Sequence, residues 1–208
     1  PQPPLRVLGR TSSINVRKVL WTCDELGLEY QREDWGSGFR STRDEEFQRL
    51  NPNGLIPVLV DADFVLWESN VICRYLAGRE KRHDLLSEDP AERARVEQWM
   101  DWQATELSAA MRYAFLSLGR RSPAHQDAAA VAASVREWNA RMQLLDAQLE
   151  RSGGHVAGAA FTLADIVVGL ATHRWYGTPI ERPALPAVEA YYARLMTRPA
   201  FPAHARPD

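Results

Sequence analysis

The spacing of apolar and polar positions changes character near residue 80, and that change divides the chain. Upstream, short apolar runs alternate with helical stretches. Residues 5–8 form an apolar-rich segment closed by Gly9, which reads as a buried strand. From Asn15 onward, Val16, Val19, Leu20, Cys23 and Leu26 follow helical spacing, and Gly27 ends the run. Residues 30–35 read as a second strand, followed by a Gly/Ser-rich loop and a short polar helix over 44–50. Residues 56–60 and 64–67 read as two strands joined by Asp61-Ala62-Asp63, a hairpin with turn chemistry. Val71, Ile72, Tyr75 and Leu76 then give one more amphipathic helix. The order β-α-β-α-β-β-α predicts an α/β sandwich built on a mixed sheet.

Downstream the period is helical throughout. A charged, irregular stretch reads as a linker over 80–89, after a first domain of 1–79 and before a second of 90–208. Pro90 suits the first turn of a long helix with apolar positions at Val96, Trp99, Met100, Leu107, Met111 and Phe115. A second long helix is predicted over 127–151, with Val131, Val135, Trp138, Met142, Leu145 and Leu149 on one stripe. Thr162-Leu163-Ala164-Asp165 has the pattern of a capping box ahead of a helix over 166–174, and residues 188–196 close the bundle.

Composition narrows the class. The 208 residues are 45% hydrophobic and 25% charged, which is globular usage. A formal charge of −2 gives no electrostatic case for nucleic acid or an anionic membrane as a partner. Cys23 and Cys73 both fall in apolar helical patterns, which predicts buried thiols in a reducing compartment. No apolar run approaches the roughly 18 residues of a membrane span, and residues 1–4 lack signal-peptide character. The expected location is cytoplasmic. Five scattered histidines lack metal-ligand spacing, so no metal is expected.

Candidate chemistry concentrates in residues 51–70. Asn51-Pro52-Asn53-Gly54 is a tight turn, and Pro57 sits one residue into the apolar run that follows. Proline cannot donate to a sheet ladder, so a cis bond before Pro57 is expected, turning backbone groups of Ile56 outward as a peptide-binding edge. Glu68 and Ser69 then place a carboxylate and a hydroxyl at a helix N-terminus. Together these features suit a ligand that carries both an amine and a carboxylate. Ordinary structural readings stand beside these: an edge-strand proline, and a helix cap with an acid favoured by the dipole.

These residues, in this order, resemble the cytosolic glutathione S-transferases. The resemblance spans essentially the whole chain. It rests on residues 12–19 (Ser-Ser-Ile-Asn-Val-Arg-Lys-Val), 51–59, 67–70 and the cap at 162–165. The run Glu97-Gln98-Trp99-Met100-Asp101-Trp102 is similar to a bacterial subgroup. The resemblance implies a thioredoxin-like N-terminal domain on a mixed four-stranded sheet, an all-α C-terminal bundle, glutathione as cosubstrate, and a cytoplasmic, homodimeric detoxification enzyme. Ser69 and backbone amides then bind the γ-glutamyl carboxylate, Glu68 its ammonium, and Ile56 pairs with the cysteinyl backbone while Pro57 holds that segment. Many relatives carry Lys, Gln or Arg where this chain has Leu55. Asn53 partly replaces that contact or simply serves the turn.

The same resemblance assigns thiol activation to the loop before the first helix. Lowering a thiol pKa of about 8.5 by two units takes roughly 2.7 kcal/mol of preferential thiolate stabilisation. A hydroxyl donor and the positive end of a helix together reach that magnitude. No tyrosine occurs in residues 1–29 and no cysteine in the loop, leaving Ser12, Ser13 and Asn15. Register with the insect and related serine classes favours Ser13, whereas a zeta-like register selects Ser12. All three residues are also ordinary helix-capping types.

A small electrophile is expected between the domains, against Trp102, Met111, Arg112, Tyr113 and Phe115, with Trp35 and Trp175 on the rim. Aromatic residues and Met at this spacing are core residues at least as readily, and Arg112 fits a solvated face. Asp101 is a candidate to reach a neighbouring subunit's glutathione, and Asp165 a structural one. Competing functions are glutathione-dependent isomerisation or dehalogenation, and a non-catalytic ligand carrier or interaction module on the same scaffold. Ile14, where zeta-like classes use cysteine, weighs against isomerisation.

Overall fold

The computed structural model describes residues 3–207, which divide into two compact units, the first ending in the chain at Leu86 and the second beginning at Ser87. The first unit runs β1 (Leu5–Leu8), α1 (Ile14–Leu26), β2 (Tyr30–Glu33), α2 (Glu45–Leu50), β3 (Val58–Asp61), β4 (Phe64–Trp67) and α3 (Ser69–Arg79). Its four strands lie in the order β2-β1-β3-β4. β1 pairs parallel with β2 and antiparallel with β3, which pairs antiparallel with β4, so the sheet is mixed.

The register Val7↔Leu59 and Leu8↔Val58 sorts side chains by face. On one face Leu8, Val58 and Val60 pack with Trp35 and Phe47. α1 and α3 pack together and bury Val16, Val19, Leu20, Ile72 and Leu76. Both cysteines lie in these helices. Burial pushes the Cys23 thiol up to about 12 and the Cys73 thiol up to about 11, so neither ionises near neutrality.

Of the boundaries that differ from the sequence reading, the end of β2 and the start of β3 shape the first unit most. β2 stops at Glu33 because Trp35 turns under the sheet, its ring 5.2 Å from Phe47 and covered by the Arg40 guanidinium at 3.8 Å. β3 begins at Val58 because Pro57 has no N–H to give the ladder.

The second unit contains α4 (Pro90–Trp102), α5 (Ser108–Ala114), α6 (Ala128–Ser152), α7 (Leu163–Gly177), α8 (Pro186–Met196) and a short α9 (Phe201–His204). Asp89 caps α4 through the amides of Ala91 and Glu92, and Asp127 caps α6 through that of Ala130. The long helix expected from Pro90 is interrupted by wider turns at Gln103–Leu107 and Phe115–Gly119. A side chain on α6 sits between them. Ser134 Oγ donates to Ala110 O at 2.7 Å and accepts from Ala114 N at 3.0 Å, inserting between groups one helical turn apart. Asp165, fully buried, accepts from Val156 N, Thr162 N and Tyr191 Oη, so the capping box also ties α7 to α8.

Candidate functional site

The turn after α2 is organised by Asn51, whose side chain is buried. Its Nδ2 donates to Leu55 O at 2.8 Å, and its Oδ1 accepts from Asn53 N at 3.0 Å and Asn53 Nδ2 at 2.9 Å. Asn53 is thus tied into the turn. Gly54 completes it at φ +64°, a conformation that favours glycine. The Ile56–Pro57 peptide is cis, as expected from sequence. Asn51 was not among the residues expected in the site, although the Asn-Pro-Asn-Gly spelling carried the signal for such an Asx-type turn.

The second wall comes from the junction of β4 and α3. Trp67 is the last strand residue and Ser69 the first helical one, so Glu68 alone makes the reversal, at φ +74° and ψ +109°. A non-glycine residue held there costs on the order of 1–3 kcal/mol, which the surrounding structure must offset. The reversal leaves the Glu68 side chain exposed and buries Ser69 and Asn70. Lys18 Nζ on α1 lies 3.4 Å from Asn70 Oδ1, a contact between the starts of α1 and α3.

The third wall is the loop from β1 into α1. Gly9 is required by close packing. A Cβ there would come within 2.4 Å of Val16 Cγ2 and 3.1 Å of Ile56 Cβ. Ser13 is the N-cap of α1, its Oγ accepting from Val16 N at 3.4 Å. Ser12 Oγ accepts from Arg10 Nε at 3.0 Å. Asn15, the second residue of α1, is exposed, and its Oδ1 accepts from Ser69 Oγ at 3.4 Å. In an N-cap serine that accepts through its oxygen, the hydroxyl hydrogen still has a donor role to fill.

A cleft of about 80 Å³ gathers these pieces. Asn53, Ile56, Pro57, Glu68 and Ser69, all expected from sequence, line it together with Asn15, and Asn51 and Leu55 join them. Ser12 and Ser13 are not among its lining residues. Leu55 is 62% exposed and, with Ile56 and Pro57, is one of three apolar residues in a lining otherwise made of Asn, Glu and Ser.

The residues expected around an electrophile are distributed otherwise. Trp35 is corrected from a rim residue to a core residue of the first unit, with Nε1 bound to Glu33. Trp175 is likewise buried in the second unit, its Nε1 donating to Asn139 Oδ1 at 3.0 Å. Both are apolar surfaces consumed by packing in their own units. Trp102 is half-buried against Trp99, and Tyr113 Oη accepts from Asp127 N. Phe115 is buried beneath Arg174, whose guanidinium lies 3.9 Å from the ring centroid. Met111 is half-buried, while Arg112 and Asp101 are exposed. Among the described residues no group of three metal-ligating side chains is close enough to hold an ion.

A thioredoxin-like domain with a cis-proline cleft, followed by an all-helical domain, defines the class. Residues 12–79 match the family profile "Glutathione S-transferase, N-terminal domain" and residues 107–199 match "Glutathione S-transferase, C-terminal domain". The chain is 39% identical over 194 residues to glutathione S-transferase GstB of Escherichia coli, covering 92% of this chain and 93% of that protein. It is 32% identical over 206 residues to glutathione S-transferase 3 of Zea mays, covering 95% and 91%. Among solved structures it is similar to the theta class glutathione S-transferase of Xanthomonas axonopodis pv. citri with glutathione bound. That match has a TM-score of 0.93 at 37% identity, covering 99% of each chain. The chain belongs to the glutathione S-transferase family.

Proposed function

We propose that the protein ionises the thiol of glutathione and transfers the thiolate to a small electrophilic carbon, by addition or by displacing a leaving group such as halide. The single observation that supports this most strongly is the cleft of the first unit, where the cis Ile56–Pro57 segment faces the Glu68-Ser69 corner. Ser69 and the first amides of α3 bind the γ-glutamyl carboxylate, and Glu68 takes its ammonium. Ile56 offers its backbone to the cysteinyl unit as an added strand does. Ser13, with its oxygen engaged by Val16 N, donates its hydroxyl hydrogen to the sulfur. Ser12 and Asn15 are the alternative donors. The thiol proton leaves to solvent; in displacement the new S–C bond forms as the leaving group departs with its electron pair, and in addition it forms as a π bond or epoxide C–O bond of the electrophile breaks and the released pair takes a proton from solvent.

For the second substrate, Trp102, Met111, Arg112, Tyr113 and Phe115 remain the candidate residues. A homodimer is supported by apolar exposure at one edge of the sheet. Phe64 and Trp67 on edge strand β4 are 47% and 39% exposed, and Val71 on α3 is 38% exposed. Elution at the monomer mass would remove this part of the reading. A cytoplasmic location and a role in detoxification complete it; among the described residues no helix is long and apolar enough to cross a membrane.

The test is direct. Isothermal titration with glutathione and retention on a glutathione matrix should both show binding, and a chloronitroarene should be conjugated. Binding with no turnover of haloarenes, haloacids, epoxides or peroxides would favour the carrier reading. No binding at all would refute the proposal.

A further inference from the structure

We propose that Arg10 is a positioning residue for thiol activation: its guanidinium, held on Ser12 Oγ, fixes the loop that carries Ser13 and places a positive charge beside the Ile56 wall of the cleft. This rests on the glutathione reading above. Arg10 follows Gly9 at the end of β1, and its backbone is pinned at both ends. Its N–H donates to Trp35 O at 3.0 Å, and its carbonyl accepts from Ser13 N at 3.2 Å. The side chain therefore starts from a fixed point. Its Nε donates to Ser12 Oγ at 3.0 Å.

The guanidinium also lies beside Ile56, a lining residue of the cleft. Its Nη1 lies 2.7 Å, and Ile56 Cδ1 3.2 Å, from the point a Cβ on Gly36 would occupy. Glycine at 36, with φ +103°, leaves room for the two to approach. Among the described residues no carboxylate forms an ion pair with Arg10. The nearby acids on the packed elements are engaged elsewhere: Glu33 with Arg6, Asp34 with Arg32, and Glu46 with Arg40. From α1, Arg17 Nε donates to Thr11 O and Lys18 Nζ lies against Asn70. Glu68 is the acid that lines the cleft itself. A cation so placed, together with the α1 N-terminus, favours a thiolate over a thiol.

The test is the ionisation of bound glutathione, followed by thiolate absorbance in the ultraviolet as pH is varied, in wild-type protein, Arg10→Met and Arg10→Lys. In the wild type the bound thiol should ionise below the free value of about 8.5. Arg10→Met should raise that midpoint by about one pH unit. At about pH 6.5 its kcat should fall about ten-fold and recover as pH approaches 9, with KM for glutathione changed less than about two-fold. Arg10→Lys, which keeps the charge but loses the planar donor, should fall between the two. Should Arg10→Met fail to fold, Arg10→Gln carries the same expectation. An unchanged midpoint, or a loss of activity equal at every pH, overturns the proposal. If the wild type binds no glutathione, or never ionises it, the glutathione reading itself fails and this inference with it.

Discussion

Replacing Ser13 by alanine separates two roles that one hydroxyl can hold. As an N-cap it accepts from Val16 N at 3.4 Å, a long bond, so its loss should cost near the low end of the capping range, about 0.5–1 kcal/mol. As donor to a thiolate, the same hydroxyl makes a charge-assisted bond, with a contribution of about 1.5–3 kcal/mol. That converts to about 10- to 150-fold in kcat/KM, with a matching rise in the pH at which activity appears. The two effects are read in different experiments, urea unfolding for the cap and conjugation kinetics for the donor. Ser13→Asn sharpens the comparison, because asparagine caps as well as serine while moving the donor away from the hydroxyl's position. We expect Ser13→Asn to keep the stability of the wild type and lose most of the activity that Ser13→Ala loses. If Ser13→Ala lowers kcat/KM less than about three-fold while Asn15→Ala or Ser12→Ala lowers it more than ten-fold, the assignment of the donor is wrong.

Other expectations rest on separate parts of the molecule. Leu55→Gln should lower KM for glutathione about five-fold by offering an amide at the cleft end, with stability unchanged within about 0.5 kcal/mol because Leu55 is exposed; an unchanged KM would place Leu55 outside the peptide site. Asp165→Ala should destabilise the protein by about 3–5 kcal/mol in urea titration, since it strands the amides of Val156 and Thr162 and the Tyr191 hydroxyl in the core; a loss below about 1 kcal/mol would show that the network contributes little. Burial pushes the Asp61 carboxyl up, but the Tyr75 hydroxyl at 2.7 Å and Arg79 at 2.6 Å outweigh it and hold its pKa below the usual carboxylate value. A depressed folded-state pKa gives stability that is present above the unfolded value of about 3.9 and is lost as pH falls through the folded one. The stability difference between wild type and Asp61→Asn should therefore be constant near neutrality and shrink below about pH 4; a difference that grows with acid would reverse the sign of this argument.

Much of the cleft was legible because its geometry is written in residues that restrict their own backbone. Pro57 cannot join a ladder, Asn51 and Gly54 specify a turn, and Ser69 following Glu68 marks a helix start directly after a strand. Element order was legible for a similar reason, since Gly27, Pro90 and Asp127 punctuate stretches whose apolar period is clear. Trp35 and Trp175 were not. An aromatic residue has the same local signature in a pocket rim as in a core, and only its distant partners decide which it is. For Trp35 those partners are Phe47 and Arg40, and for Trp175 the Asn139 amide on another helix.

What the sequence determined by itself was thus local: the strand and helix order, the proline-led segment at Ile56–Pro57, the acid-hydroxyl corner at Glu68-Ser69, and a loop of helix-capping residues, Ser12, Ser13 and Asn15, before α1. Each follows from the φ/ψ preferences and hydrogen-bonding capacity of a few adjacent residues. The tertiary structure decided what lies beside what. It set Ser134 against Ala110 and Ala114, in the stretch of helix that separates the two widened turns. It brought Asn15 to Ser69 and the Arg10 guanidinium to the Ile56 wall across gaps of tens of residues in the chain. Those juxtapositions depend on two glycines, Gly9 where β1, α1 and the Ile56 segment converge and Gly36 where Arg10 and Ile56 approach, and no local period encodes them.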